Sequence, residues 1–322
     1  MAAPMLKVSG PELVIAACRA GVMGSFPSAN ALESGGLDAW LARIRTALSP
    51  LDAPFAVNII IHRSADQLSA DVSAVRRHGV EWVITSVGSP AAVIGPLHDA
   101  GCRVLADVGT LAHARKAVRA GVDGLILLSA GAGGQTGWLN GLSFIRAVRE
   151  FFDGPIVLAG GVSDGHALWA ARAAGADLAY MGTRFIATEE SLANEAYRRL
   201  VVDCSLDDVQ LTRAFTGLQT NMLRPSIVAA GLDPEQLDES ISPARARELF
   251  GAARTTFDRP QNDQPGPRRW SDIRSGGHSV GAVKAVVPVA ALVECTRVEY
   301  AAAMQASQRE ATADPFRVRI AA

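Results

Sequence analysis

The sequence predicts a closed (β/α)8 TIM barrel with a smaller C-terminal helical region, and three observations carry that prediction. Over about the first 200 residues, short apolar runs alternate with alanine-rich amphipathic segments. The runs are apolar at nearly every position, as in strands buried on both faces, where a surface strand would alternate. Several helical segments end in glycine just before the next run (Gly79, Gly101, Gly121, Gly175), the expected stop for a helix that feeds a strand. Eight such units favour a closed barrel over an open doubly wound sheet.

The predicted strands are "AAPM" (2–5), "VMGSF" (22–26), "FAVNIII" (55–61), "EWVITSV" (81–87), "RVLADV" (103–108), "GLILLS" (124–129), "PIVLAGG" (155–161) and "DLAYMGT" (177–183). The first is short. Helices are predicted at 37–48, 65–79, 111–121 and 164–175, where apolar positions recur at helical spacing. After about residue 200 the text turns polar and helical, with no further strand expected. A loop rich in proline and charge follows at 258–270, then a long apolar and alanine-rich stretch to about 305. The predicted organisation is a barrel core over 1–202, a helical region packed over the barrel mouth at 203–305, and a loose tail at 306–322.

A formal net charge of -1 argues against a phosphate-backbone-binding surface or a polybasic membrane patch. Neither nucleic acid nor membrane is expected as a partner. Cys18, Cys102, Cys204 and Cys295 are far apart, with no CxxC pair and no histidine at ligand spacing, so reduced thiols and no metal are expected. No basic leader precedes an apolar core, and no apolar run reaches the roughly 20 residues that span a bilayer. A cytoplasmic protein is expected.

In such a barrel the active site lies at the C-terminal ends of the strands, commonly with a phosphate site after strands seven and eight. The loops there begin "AGGVSDG" and "MGT", so the backbone N–H groups around Gly160, Gly161, Gly182 and Thr183 make a candidate phosphate cradle. Asn58 interrupts a buried strand and is either a satisfied structural amide or a ligand contact at the mouth. Asp107 closes the fifth strand and is either a site carboxylate or a cap for the next helix. Four histidines (His78, His98, His113, His166) fall in helical text and are expected at the surface. His62, after the third strand, and His278, in "SGGHSVG", are the two with access to the mouth. The glycine-rich turn "SAGAGGQTG" after the sixth strand carries Gln135. No Ser-His-Asp, HExxH or P-loop signature is present.

Taken in order, "AAPM", "FAVN", "AGAGGQTG", "LAGGVSDG" and "AYMGTRFIATEES" make the chain resemble the nitronate monooxygenase (2-nitropropane dioxygenase-like) family of FMN-binding TIM barrels. The resemblance covers about residues 2–200, with a more degenerate match at "RWSDIRSGGHSVG". It implies FMN as cofactor, with Pro4 and Met5 against the flavin, Asn58 bonded to it, and Gly133 and Gly134 letting the sixth loop approach its ring. It also implies that Gly160, Gly161, Gly182 and Thr183 hold the phosphate, beside Tyr180 and Met181. The expected partners are a small-molecule substrate, O2 and, on the wider family's chemistry, NAD(P)H. Oligomeric state is not readable.

The chain departs from the family where relatives commonly read E-A-G-G-H-x-G. Here Gly131 replaces the glutamate and Gln135 the histidine. Glutamine does not titrate and only donates and accepts hydrogen bonds. Removal of a carbon-bound proton is therefore expected to be weak unless His62 or His278 substitutes, whereas oxidation of a preformed nitronate needs no base. The alternative is an NAD(P)H-dependent reductase of a quinone, enone or enoyl thioester, in which Gln135 polarises a carbonyl. In that reading Arg63 and the 258–270 loop are candidate contacts for a nucleotide or CoA phosphate.

Overall fold

The computed structural model describes residues 1–32, 36–251 and 267–310. Its strands, in chain order, are β1 (Gly24–Pro27), β2 (Phe55–Ile60), β3 (Trp82–Ser86), β4 (Arg103–Val108), β5 (Gly124–Leu128), β6 (Gly134–Gln135), β7 (Ile156–Ala159), β8 (Leu178–Tyr180), β9 (Val209–Thr212) and β10 (Thr220–Leu223). Seven of them form one parallel sheet in the order β1-β2-β3-β4-β5-β7-β8. Residues 1–3 close the gap between its two ends. Ala2 bridges Met181 in parallel, the Ala2 N–H donates to Met23 O at 2.9 Å, and the Ala3 N–H donates to Met181 O at 3.0 Å. The first strand expected from "AAPM" is thus reduced to this arm, because Pro4 has no N–H with which to continue a ladder.

Side chains alternate between the barrel interior and the helical layer. Ala56, Ile84, Leu105, Ile126, Val157, Ala159 and Tyr180 meet inside, with Ala3 from the arm. Their strand neighbours, among them Val57, Val83, Val104, Leu125 and Ile156, pack outward against the helices. This two-sided burial is why the strands read as continuous apolar runs. Fully burying each Leu or Ile contributes about 1.5–3 kcal/mol.

The outer helices are α1 (Pro11–Arg19), α2 (Gly36–Ala47), α3 (Ala65–Arg77), α4 (Ala91–Asp99), α5 (Leu111–Ala120), α6 (Gly141–Arg149) and α7 (Gly165–Ala174). Short polar residues start them. Ser64 forms a capping box with Gln67, and Thr110, Asn140 and Asp164 each accept a backbone N–H of the first turn. Gly121 and Gly175 end α5 and α7 in the left-handed conformation, at φ 91° and 108°. Since Thr110 caps α5, the capping alternative for Asp107 is excluded.

Beyond β8 come α8 (Thr183–Ile186), α9 (Glu195–Asp203), α10 (Arg224–Ala229), α11 (Pro243–Phe250) and α12 (Val289–Glu310). Two features correct the reading of 203–305 as a purely helical cover. β9 and β10 pair antiparallel, and β10 also pairs with β6, which makes a three-stranded sheet on the sixth loop. α12 packs on α7 and α1, so it completes the outer helical ring and does not cover the mouth. The 258–270 loop lies outside the described residues except at its end, as does the tail after 310. Among the described residues, no helix is long and apolar enough to cross a membrane. Cys18, Cys102 and Cys204 are buried thiols and Cys295 is an exposed one.

α12 reaches the barrel wall at Gly165, where a Cβ would collide with the Tyr300 amide and the Thr296 carbonyl. Gly165→Ala should therefore lower stability by about 1–3 kcal/mol through overpacking. Urea unfolding midpoints check this, and an unchanged midpoint would mean that α12 does not dock as described.

Candidate active site

Strand parity places a ring of side chains at the C-terminal end of the barrel interior. Asn58 lies two residues beyond Ala56, Ser86 two beyond Ile84, and Asp107 two beyond Leu105, with Tyr180 from β8 opposite. Asn58 is buried and largely satisfied within the sheet. Its Nδ2 donates to Ile84 O at 3.2 Å and to Ser86 Oγ at 3.0 Å, so it is structurally bonded, at a position near the C-terminal end of the barrel interior. Asp107 and Tyr180 are different. Asp107 Oδ1 and Tyr180 Oη are shielded from solvent and have no hydrogen-bond partner among the described residues. Burial pushes the Asp107 carboxyl up to about 7. Burial, and then the nearby Asp107 charge, raise the Tyr180 phenol well above its ordinary value.

Above this floor four glycine-containing segments interlock. A Cβ on Gly160 would lie 2.6 Å from Ser129 Oγ and 2.9 Å from Ala132 N, so only glycine lets the seventh loop approach the sixth this closely. Gly161 has φ 72° and open space around its Cα. Among the described residues, the N–H groups of Gly160, Gly161 and Gly182 donate to no backbone carbonyl. Thr183 is buried, and its Oγ1 accepts the Gly277 N–H at 2.9 Å, which leaves the hydroxyl proton free to donate. The cradle expected at 160–161 and 182–183 is thus assembled with unused donors. A phosphate fits this donor set, and the partnerless Asp107 and Tyr180 atoms fit a polar ligand seated below it.

What holds the sixth loop has no direct mark in the sequence. Asn221 on β10 donates from Nδ2 to Ala132 O at 2.7 Å, and Thr136 N–H donates to Gln219 O at 3.1 Å. Gly276 and Gly277 complete the interlock. A Cβ on Gly133 would lie 2.8 Å from Gly277 N, and one on Gly277 would collide with Gly131 O. On the arm, Asn30 Nδ2 donates to Met5 O and Ser9 O, both at 2.9 Å, which fixes Pro4 and Met5 at the rim. Met5 Sδ lies 3.5 Å from where a Gly182 Cβ would be. Three non-glycine residues hold positive φ among the described residues: Lys7 (61°), Val87 (52°) and Trp270 (66°). Lys7 and Val87 follow strand ends at the mouth, and Trp270 packs beside Gly134. Such strain collects at functional sites at a cost of about 1–3 kcal/mol each.

The remaining sequence candidates separate. Gln135 lies in β6 opposite Thr220, half-buried, and its side-chain amide bonds to no described residue. His278 is exposed, but its N–H donates to Gly131 O at 2.9 Å and its Nδ1 lies 2.7 Å from where a side chain at 131 would begin. It therefore belongs to the sixth loop. His62 does not: it is exposed beside Gly88, after β2, three positions round the ring from β5. Met181 turns its side chain outward into the helical layer and lines a separate cavity of about 340 Å³ between β8, α7 and α12, so only its backbone serves the barrel mouth. That cavity lies on the outer, helical side of β8, and none of the cradle residues lines it. Arg63 is not a phosphate contact: it is bonded to the buried Asp71 at 2.5 Å and to Ser28 at 3.2 Å.

With this geometry in place, the comparisons with known proteins decide the family. The family profile described as nitronate monooxygenase matches residues 62–244. The chain belongs to the nitronate monooxygenase family. It is 30% identical to a nitronate monooxygenase of Paraburkholderia phytofirmans, over 75% of this chain and 77% of the relative. It is 32% identical to a (3aS,4S,5R,7aS)-5-hydroxy-7a-methyl-1-oxo-octahydro-1H-indene-4-carboxyl-CoA dehydrogenase of Mycobacterium tuberculosis, over 77% of this chain but only 66% of the relative. Among solved structures it is similar to FabK from Thermotoga maritima (TM-score 0.79, 26% identity, 96% of this chain and 94% of that one). It is also similar to a nitroalkane oxidase from Streptomyces ansochromogenes (TM-score 0.77, 28% identity, 95% and 96%). As a member of this family the chain is a flavin-dependent oxidoreductase with a TIM-barrel-like fold.

The interlock gives a direct test. Gly277→Ala should leave the far-ultraviolet circular dichroism of the barrel intact and weaken flavin retention at least tenfold, measured by flavin release on dilution. Retention equal to the parent would separate Gly277 from the cradle.

Proposed function

We propose that the chain binds FMN and oxidises alkyl nitronates with O2 to a carbonyl compound and nitrite. The unbonded N–H groups of Gly160, Gly161 and Gly182 and the hydroxyl of Thr183 would hold the phosphate. Pro4, Met5, Gly133 and Gly134 would border the ring system, with Asn58, Asp107 and Tyr180 beneath it. Bound FMN supplies the electron transfer to oxygen, and the protein's part is to bind, orient and exclude water.

The observation that carries this reading is the chemistry of the sixth loop. Residues 129–140 contain no titratable side chain, and Gln135 presents a half-buried amide with unused hydrogen-bonding capacity. An amide N–H donates to a nitronate oxygen and fixes its orientation, but takes no proton from carbon. A substrate that arrives already deprotonated meets that requirement.

A second reading is reduction of a quinone, an enone or an enoyl thioester by NAD(P)H. The likeness to a CoA-ester dehydrogenase supports it, and the Gln135 amide polarises a carbonyl as well as it orients a nitro group. The pairing of Arg63 with Asp71 removes one phosphate contact that this reading had used.

Two measurements check these readings. Nitrite release from a nitronate in air without NAD(P)H supports the first, and rapid anaerobic bleaching of the flavin by NADH or NADPH supports the second. Gln135→His should raise turnover of neutral nitroalkanes by about 10²-fold or more, the lower end of what a positioned base supplies. No rise would show that the missing base is not what limits that reaction.

A further inference from the structure

The floor of the mouth carries a titratable pair that the proposed reaction does not use. The seven strands of the parallel sheet contain only three titratable side chains: Arg103, Asp107 and Tyr180. Arg103 is at the opposite end of β4, exposed and stacked on Trp82 with 5.3 Å to the ring centroid. Asp107 and Tyr180 lie near enough inside the barrel for the Asp107 charge to act on the Tyr180 phenol. The arm adds one further ionisable group, the buried Met1 ammonium, which donates to Ala179 O at 2.8 Å and whose pKa burial lowers to about 6, below the range from pH 7 to 9.

Among the described residues, the charged side chains around the mouth are engaged by other groups or stand exposed on its rim. On the loop after β2, Arg63 is engaged by Asp71 and Ser28, and His62 is exposed on the rim. On the arm, Lys7 Nζ donates to Ser271 Oγ at 2.7 Å. On α8, Arg184 donates to Ala282 O, and His278 stands exposed beside Gly131. Burial alone accounts for the raised Asp107 carboxyl, and none of these cations offsets it. Asp107 as a residue is half-buried, but a carboxylate here would leave its shielded Oδ1 an unpaired charged acceptor. A carboxylic acid would be a buried donor in search of an acceptor. The flavin pyrimidine ring presents carbonyl oxygens and a ring nitrogen that accept such a bond.

We propose that protonated Asp107 donates a hydrogen bond to FMN from beneath, with the Tyr180 hydroxyl as its companion, so that FMN binding is linked to holding one proton on Asp107. This rests on the FMN reading above and adds a pH dependence to it. The sign follows from linkage. Below about pH 7 the proton is already in place in the free protein. Above it, binding must draw a proton from solvent, and affinity falls by up to about tenfold per pH unit. The FMN phosphate titrates near pH 6, so the range from pH 7 to 9 isolates Asp107.

The test measures FMN affinity by fluorescence quenching, using the full-length chain freed of flavin, at pH 6 to 9. The parent should lose affinity progressively above pH 7. Asp107→Asn, which keeps a donor and cannot ionise, should bind with a Kd that is flat from pH 7 to 9. Tyr180→Phe, a check that a floor substitution folds, should weaken binding a few-fold at every pH and keep the parent's slope. A parent Kd that is flat or tightens as pH rises, or a slope that survives in Asp107→Asn, would overturn the proposal while leaving FMN binding intact. Failure of the parent to bind FMN at any pH would overturn the cofactor reading, and this proposal with it.

Discussion

At Gly277 two backbones lie so close that no side chain fits between them, and the rest of the site depends on that contact. The Gly277 N–H donates to Thr183 Oγ1, while a Cβ at the same residue would strike Gly131 O. Thr183 belongs to the eighth strand's loop, Gly131 to the sixth and Gly277 to a segment nearly a hundred residues later. Each loop alone is a flexible turn with open backbone donors. Held together, they present those donors in one place without further ordering when a phosphate arrives, the preorganisation on which tight anion binding depends.

This constraint explains why the chain continues past the barrel. β10 pairs with β6, clamps Ala132 through Asn221, and bridges Ser275 through Met222. One short strand thus fixes both the sixth loop and the segment that closes over it. α12 completes the outer wall, leaving the mouth to 270–282. Gln135 is therefore part of a small sheet, and its position is more rigid than a glycine-rich turn implies.

The barrel strands were legible because burial on both faces erases alternation and leaves unbroken apolar runs such as "FAVNIII" and "GLILLS". The cradle glycines were legible because they stand at the ends of those runs. The β9–β10 pair was not, since "VQLT" and "TNML" are short and polar and their third partner is two residues long. Asn221 and Asn30 act through contacts remote in sequence, with no local pattern to mark them. The outward turn of Met181 follows from parity with Tyr180, but only once the strand's register is known. Arg63 read as a candidate phosphate contact because its partner Asp71 lies inside α3, where no spacing rule assigns it to Arg63.

The central claim is that the loops at 131–134, 160–161, 182–183 and 276–277 form one flavin seat. Amide hydrogen exchange with and without FMN tests it most directly. The account predicts that FMN slows exchange at those four segments together, with little change around the cavity lined by Leu168, Leu292 and Tyr300. Protection confined to that outer cavity, or spread over one of the four loops but not the others, would contradict it.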